Sequence, residues 1–467
     1  MTALEVRNPA TGGLITTLPA TSAAEVAEAA RRARQVHEAG TWSRVPPRER
    51  AAVLVRLVDL MRRDAELLAR LDSEDAGKPI SECRTGDVPG AIESVRWFAE
   101  AADKVFGRVA PTGPDHLAVI TREPVGVVAA ILPWNYPLAM SAWKVGPALA
   151  AGNCLLLKPA EATPRSALHL ARLAGEAGLP EGVLTVLPGH GAVAGAALAR
   201  DPVVGALSFT GSTATGRAVL TAAARTNFKR VSLEMGGKSP QVLMADALDF
   251  GDDLVADMID AAFLTSGQNC TAGSRVLVHR DIADEVVTRF VAAAGALVVG
   301  DPAEPDTRIG PLIDHDARDR VATAVAEARA GGARIHAPDL PEGLHPGGAY
   351  YPPTVVTDVP AGARLLTDEL FGPVVSVQTF TDEAEAVRMA NATEYGLAAS
   401  VWTRDLDVAW RVARGVQAGV VSVNSYSEGD ITTPFGGWKQ SGYGGAEKST
   451  TAFDQWTREK TVWIRTR

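Results

Sequence analysis

A single thiol carries the strongest chemical signal in this chain. Cys270 lies in the run Phe263-Leu264-Thr265-Ser266-Gly267-Gln268-Asn269-Cys270-Thr271-Ala272-Gly273-Ser274-Arg275, between an apolar helical pattern and the β-like Arg275-Val276-Leu277-Val278. A loop of small and polar residues can present sulfur to a ligand, whereas a packing cysteine belongs within an apolar run. The chemistry open to such a thiol is nucleophilic attack, given a base and an oxyanion donor. On its own, a loop cysteine is commonly just small apolar filler.

Two further segments offer those partners. Arg230-Val231-Ser232-Leu233-Glu234-Met235-Gly236-Gly237-Lys238-Ser239-Pro240 reads as a short strand delivering a carboxylate into a turn. Glu234 can then act as a general base if the fold brings it to the thiol; otherwise it is a solvated acid at a strand end. Pro133-Trp134-Asn135-Tyr136-Pro137 is a corner directly after a strand, and its two prolines restrict the backbone around the Asn135 amide. A fixed amide suits an oxyanion, although asparagine more often bonds its own turn.

A second constellation suits phosphate. Phe209-Thr210-Gly211-Ser212-Thr213-Ala214-Thr215-Gly216-Arg217 follows a strand and opens a helix, where free N–H groups and the positive dipole end meet an anion. It lacks the G-x-G-x-x-G order, so by itself it is equally an ordinary strand-to-helix turn. Leu155-Leu156-Leu157-Lys158-Pro159-Ala160-Glu161 adds a strand ending in Lys158 with an acid just beyond, where ribose hydroxyls are held at the carboxyl ends of parallel strands. A capping role is the plain alternative for Glu161.

The elements that must position these residues follow from hydrophobic period. Residues 23–39, 48–71 and 81–105 carry apolar positions at helical spacing. Strands are expected at 117–121, 125–132, 154–157, 183–187 and 206–209, alternating with helices at 139–151, 166–177 and 192–199. That rhythm indicates a parallel sheet with crossover helices. It resumes after Glu234, with helices at 252–264, 282–297, 317–330 and 383–390 and strands at 275–279, 374–380, 399–403 and 419–424, so a second α/β domain fits. Lys460-Thr461-Val462-Trp463-Ile464-Arg465 is a lone β-like tail that must pair with a distant or neighbouring strand.

Composition narrows the class. The 467 residues exceed one ordinary core, which predicts two or three domains. A net charge of −9 argues against nucleic acid or an anionic membrane as partner. Three widely separated cysteines, Cys83, Cys154 and Cys270, argue against a disulfide framework and for a reducing compartment. No secretory pattern opens the chain, the longest apolar run is too short to span a bilayer, and the eight histidines are scattered, so a cytoplasmic, metal-free protein is expected.

Taken together, these segments resemble the aldehyde dehydrogenase superfamily over essentially the whole length, from Asn8-Pro9-Ala10-Thr11-Gly12 to the terminal strand. To the motifs above the resemblance adds Glu369-Leu370-Phe371-Gly372-Pro373 and Pro434-Phe435-Gly436-Gly437-Trp438-Lys439-Gln440-Ser441-Gly442, all in family order. It implies an α/β, aldehyde dehydrogenase-like fold: a Rossmann-type NAD-binding domain (1–106 and 125–236), an α/β catalytic domain (237–430) and a small β oligomerisation element (107–124 and 453–467), in a homodimer or homotetramer. It implies that Cys270 attacks an aldehyde, that the Asn135 amide and the Cys270 N–H hold the oxyanion, and that Glu234 activates water against the resulting thioester. Cofactor contacts are implied at Trp134, Lys158, Glu161, Gly211, Ser212, Gly216, Glu369 and Phe371. An acid at Glu161 would repel a 2′-phosphate, favouring NAD, while Lys158 could still tolerate NADP.

For substrate, the resemblance is to the γ-glutamyl-γ-aminobutyraldehyde and aminoaldehyde dehydrogenase branch. The loop Ser425-Tyr426-Ser427-Glu428-Gly429-Asp430-Ile431-Thr432-Thr433 would border the aldehyde tunnel, where Glu428 and Asp430 could attract a cation. Trp143, Tyr426 and Phe435 complete the expected tunnel, Trp143 and Tyr426 as aromatic walls for an ammonium or simply as packing. Aliphatic, aromatic or betaine aldehydes are the alternatives by the same mechanism. A CoA-acylating relative is disfavoured by Glu234, and a non-catalytic structural relative by Cys270, Glu234 and Asn135 together. The chain departs from the family pattern at Gly442-Tyr443-Gly444-Gly445-Ala446-Glu447, which lacks the usual arginine and is one residue longer.

Overall fold

Short apolar runs between helix-length segments commit this chain to strands buried on both faces. In the computed structural model, which describes residues 3–466, Val127–Ile131 and Cys154–Lys158 are buried at every position, as strands covered by helices on both sides must be. They form the middle of a sheet ordered Leu184–Val186, Cys154–Lys158, Val127–Ile131, Ala206–Thr210, Arg230–Glu234, all parallel. Gly442–Tyr443 adds an antiparallel edge on Arg230–Glu234. Its first strand lies centrally and later strands are added on one side, then the other, which opens a crevice at the carboxyl end of Val127–Ile131.

The second sheet has seven strands: Arg334–His336, Thr354–Thr357, Val374–Phe380, Arg275–His279, Pro240–Leu243, Ala398–Trp402 and Val420–Val423, parallel except for the first. The chain crosses from one sheet to the other between Glu234 and Pro240. The carboxyl end of one sheet is thereby tied to the amino end of the other, and Cys270 arrives just before Arg275–His279, the neighbour of Pro240–Leu243.

The tail finds its partner within the chain. Thr457–Arg465 pairs antiparallel with His116–Pro124 along its whole length, and Arg108–Ala110 closes a three-stranded sheet. Val109, Leu117, Val462, Trp463 and Ile464 leave apolar surface exposed on it. After residue 430 the chain returns to the first sheet through the Gly442–Tyr443 strand. Among the described residues no helix is long and apolar enough to cross a membrane.

Three expected helices are interrupted, and the 192–199 pattern is a π-helical turn at Gly191–Gly195 followed by the short helix Ala196–Arg200. The 48–71 pattern is two helices, Pro47–Arg63 and Ala65–Ala76, meeting at Asp64, whose carboxylate is drawn toward Arg63, His169 and Arg172. The 81–105 pattern contains a π-helical turn at Cys83–Asp87 before Val88–Ala101. That turn seats Asp87 2.6 Å from the buried Lys78 ammonium, and side-chain periodicity alone does not report an added residue in the turn.

Candidate active site

Between the two sheets lies a cavity of about 1660 Å³. The sequence-predicted residues Asn135, Glu234 and Cys270 line it, with Trp134, Lys158, Glu161, Gly211, Ser212, Glu369 and Phe371 on one side and Trp143, Tyr426, Glu428, Asp430 and Phe435 on the other. Gly216 does not line it. That glycine is buried in the helix Thr213–Ala224, where a Cβ would come within 2.5 Å of the Met235 sulfur, so it allows the helix to pack on the Glu234 turn.

The Cys270 loop is held in a conformation that few sequences adopt. Thr265, Ser266 and Gly267 follow one another with φ of 55°, 56° and 69°, a left-handed stretch that costs free energy unless its surroundings fix it. Glu82 accepts from the Thr265 N–H at 2.9 Å and its hydroxyl at 3.1 Å. Gly267 must lack a side chain, because a Cβ there would lie 2.3 Å from the Gly372 carbonyl oxygen. The Asn135 side-chain amide donates to the Gln268 carbonyl at 2.9 Å, which fixes its direction two residues from the thiol and leaves its second N–H. Cys270 itself is half-buried, and burial, then the charges of Glu428, Glu369 and Glu234, push its thiol well above the ordinary range.

Glu234 ends its strand 4% exposed. One carboxyl oxygen accepts from the Gly437 N–H at 3.2 Å; the other is buried without a partner. Burial first and the Glu447 charge second push this carboxyl well up, and Lys144 opposes them. A carboxylate whose proton affinity is raised in this way takes a proton from water more readily than a solvated one, as a general base must. Gly236 and Gly237 then turn the chain under Cys270: a Cβ on Gly237 would meet the Cys270 carbonyl oxygen at 2.3 Å, and one on Gly236 would fall 2.0 Å from a Glu369 carboxyl oxygen. Glu369 accepts from the Gly237 N–H at 3.0 Å, and burial pushes it up to about 7.

The dinucleotide side is equally specific. Ser212 caps the Thr213–Ala224 helix by accepting from the Thr215 N–H. The Thr210 hydroxyl at the adjoining strand end is buried with no partner, and Gly211 lies so close to the Phe209 ring that a Cβ would clash at 2.7 Å. An orphaned donor, a free helix start and no side chain between them fit a pyrophosphate. Lys158 is buried and donates to the Pro159 carbonyl at 2.9 Å, while Glu161 accepts from the Gly191 N–H at 2.6 Å. Trp134 and Phe371 meet edge to face with centroids 5.3 Å apart.

The loop expected to attract a cation is largely engaged with the protein. Glu428 accepts from the hydroxyl of Thr271 and, at 3.4 Å, from the Asn269 amide. The Tyr426 hydroxyl is 3.0 Å from both of those residues, so this loop braces the two neighbours of Cys270. Asp430 is exposed and accepts from the Thr432 N–H at 2.7 Å. Trp143 and Phe435 pack edge to face at 5.4 Å, and the ammonium over them is the chain's own: Lys448 Nζ lies 4.8 Å from the Trp143 ring centre and 5.2 Å from that of Phe435.

Lys144 and Glu447 were not expected at this site, and Lys448 was expected only as part of the Lys448-Ser449 branch motif. Lys144 and Glu447 form a fully buried ion pair, with Ser208 donating to Glu447 at 3.2 Å. A lone lysine in the apolar helix Pro137–Ala150 was the available signal for Lys144. Glu447 and Lys448 fall in the irregular stretch after Gly442, where spacing carries no periodic information. Among the described residues no group of three or more His, Cys, Asp or Glu side chains is arranged for a metal ion.

The aldehyde dehydrogenase family model matches residues 1–462. Aminoacetaldehyde dehydrogenase of Pseudomonas aeruginosa is 45% identical over 458 residues, 98% of this chain and 91% of that protein. The NADP/NAD-dependent aldehyde dehydrogenase PuuC of Escherichia coli is 46% identical over 461 residues, 98% of this chain and 92% of the other. Among solved structures, γ-glutamyl-γ-aminobutyraldehyde dehydrogenase of Burkholderia cenocepacia superposes with a TM-score of 0.95 at 46% identity, covering 100% of this chain and 94% of that one.

Proposed function

Because the chain belongs to the aldehyde dehydrogenase family, we propose that Cys270 is the nucleophile of an NAD-dependent oxidation of an aminoaldehyde, γ-aminobutyraldehyde or its γ-glutamyl derivative, to the free acid. The observation that carries the reading is the meeting of Cys270, the fixed Asn135 amide and the buried Glu234 on one cavity wall. Relatives that act on aminoacetaldehyde and on γ-glutamyl-γ-aminobutyraldehyde support the substrate class.

The thiol gives its proton to solvent water and, as thiolate, forms a C–S bond to the aldehyde carbon while the carbonyl π pair moves to oxygen. The free N–H of Asn135 and the Cys270 N–H are suited to that oxyanion. NAD, when bound, supplies the two-electron acceptor that converts the adduct to a thioester. Glu234 then takes a proton from water as it adds to the thioester carbon, and the Cys270 thiolate leaves as the acid forms. The residues that would hold the cofactor are Ser212, Gly211 and Thr210 at the pyrophosphate, Lys158 and Glu161 at the adenosine ribose, and Glu369, Trp134 and Phe371 toward the nicotinamide. Preference for NAD follows from the Glu161 carboxylate.

The exposed apolar face of the Arg108–Ala110, His116–Pro124 and Thr457–Arg465 sheet supports self-association into a homodimer or homotetramer. Three free cysteines support a reducing, cytoplasmic setting. The test is NADH formation with aminoaldehydes by wild type and Cys270→Ala: loss of at least about 10⁴-fold in kcat is expected, as for removal of a covalent nucleophile, with NAD binding retained. Turnover unaffected by the substitution would end the proposal.

A further inference from the structure

Lys448 lies over Trp143, one of the two rings expected to wall a substrate ammonium. It is 6% exposed and lines the cavity, with its ammonium over Trp143 and Phe435. Its two hydrogen bonds run to main-chain carbonyls, those of Glu428 and Gly429, each at 3.2 Å. An ammonium has three donors, so one N–H is uncommitted. One oxygen of each nearby carboxylate is held by other groups, Glu428 Oε1 by Thr271 and Asn269 and Asp430 Oδ1 by Thr432, and neither acid bonds the Lys448 ammonium directly.

The backbone around Lys448 is strained to put it there. Lys448 and Ser449 have φ of 60° and 46° in succession, although neither is glycine. They are pinned on both sides: Glu447 exchanges main-chain hydrogen bonds with Phe435, and the Ser449 N–H donates to the Ile431 carbonyl at 2.7 Å. Strain of this kind persists where the surroundings over-determine it, and it concentrates at ligand-binding positions.

We propose that Lys448 is a specificity-determining residue that binds a carboxylate carried by the aldehyde substrate away from its carbonyl. This rests on the reading of the cavity as the aldehyde-oxidising site, and it narrows the substrate class. A bare aminoaldehyde brings a second ammonium to a corner already filled by one, with like-charge repulsion and no free ring face. A γ-glutamylated aminoaldehyde carries a carboxylate that can take the uncommitted N–H and so approach the Lys448 ammonium.

The test compares succinic semialdehyde, its methyl ester and 4-aminobutyraldehyde with wild type, Lys448→Met and Lys448→Arg. Wild type is expected to favour the acid over the ester in kcat/KM. Lys448→Met lowers the value for the acid by about 10- to 100-fold, mainly through KM, the worth of one hydrogen bond to a charged group. The same variant changes the ester less than about threefold and improves the cationic aldehyde, while Lys448→Arg keeps the preference for the acid. An equal fall for acid and ester, with or without a lowered Tm, assigns Lys448 a purely structural part and overturns the proposal. So does a wild type with no preference for the acid. A wild type that oxidises none of the three with NAD overturns both this proposal and the reading on which it rests; normal turnover of the ester separates the two.

Discussion

Lys144 and Glu447 form a fully buried ion pair that bears directly on Glu234: after burial, the Glu447 charge is the largest influence raising the Glu234 carboxyl, and Lys144 opposes it. The sign of each substitution follows. Glu447→Gln removes a negative neighbour, so Glu234 releases its proton at lower pH and the acid limb of the kcat profile moves down. Lys144→Met removes the opposing cation and moves that limb up. It also leaves Glu447 buried and unpaired, at a cost of about 3–5 kcal/mol in stability. Opposite displacements of the acid limb are the expected result; displacement of both in one direction would separate this pair from Glu234.

Replacing Glu234 by Gln should divide the reaction in two. The amide keeps the shape and can still accept from Gly437, but it takes no proton from water. A stopped-flow burst of NADH near one equivalent per site is expected, followed by a steady state slower by about 10²–10⁴-fold, the usual contribution of a general base. Loss of the burst together with the steady state would place Glu234 in acylation instead.

Most of the architecture was legible because its signals are local. The runs at Val127–Ile131 and Cys154–Lys158 are wholly apolar, and strands so composed are buried and parallel wherever helices alternate with them. The meeting of Cys270, Glu234 and Asn135 was legible only through motif order, since distances between sequence-remote segments have no periodic signature. The loop acids were half read. Glu428 does line the cavity, but one of its carboxylate oxygens is taken up by Thr271 and Asn269 beside the thiol. Lys448 was legible only as part of the Lys448-Ser449 pair that resembles the aminoaldehyde branch and not as a site residue, because its place depends on a left-handed backbone in an irregular stretch and on rings that arrive from Trp143 and Phe435. The break at Asp64 was hidden for a similar reason: the two helices keep one amphipathic period across it, and the partners that stop the first, His169 and Arg172, lie a hundred residues away.

Gly237→Ala tests the packing beneath the thiol. The added Cβ would lie 2.3 Å from the Cys270 carbonyl oxygen, so the loop must shift. Displacement of a reacting atom by about 1 Å can cost ~10²-fold, and kcat/KM should fall by about that much for every aldehyde alike. Crystallography of the variant would reveal a moved Cys270; an unmoved loop with unchanged kinetics would contradict the close approach.

Glu161→Gln tests which end of the cavity holds the adenosine ribose. Glu161 accepts from the Gly191 N–H at 2.6 Å, a bond that a glutamine oxygen can also accept, so the local turn is preserved and only the charge is lost. In the wild type that charge stands against a 2′-phosphate, while Lys158, buried and committed to the Pro159 carbonyl, offers a cation at the last residue of the strand. Removing the acid therefore should leave the cation to act alone. The kcat/KM for NADP is expected to rise by about tenfold, as relief of a like-charge contact allows, and that for NAD to fall modestly as a ribose acceptor is weakened. Steady-state kinetics with both cofactors at one ionic strength measure the ratio. An unchanged ratio would remove Glu161 from the ribose and with it the argument for NAD preference, while leaving the chemistry of Cys270 untouched.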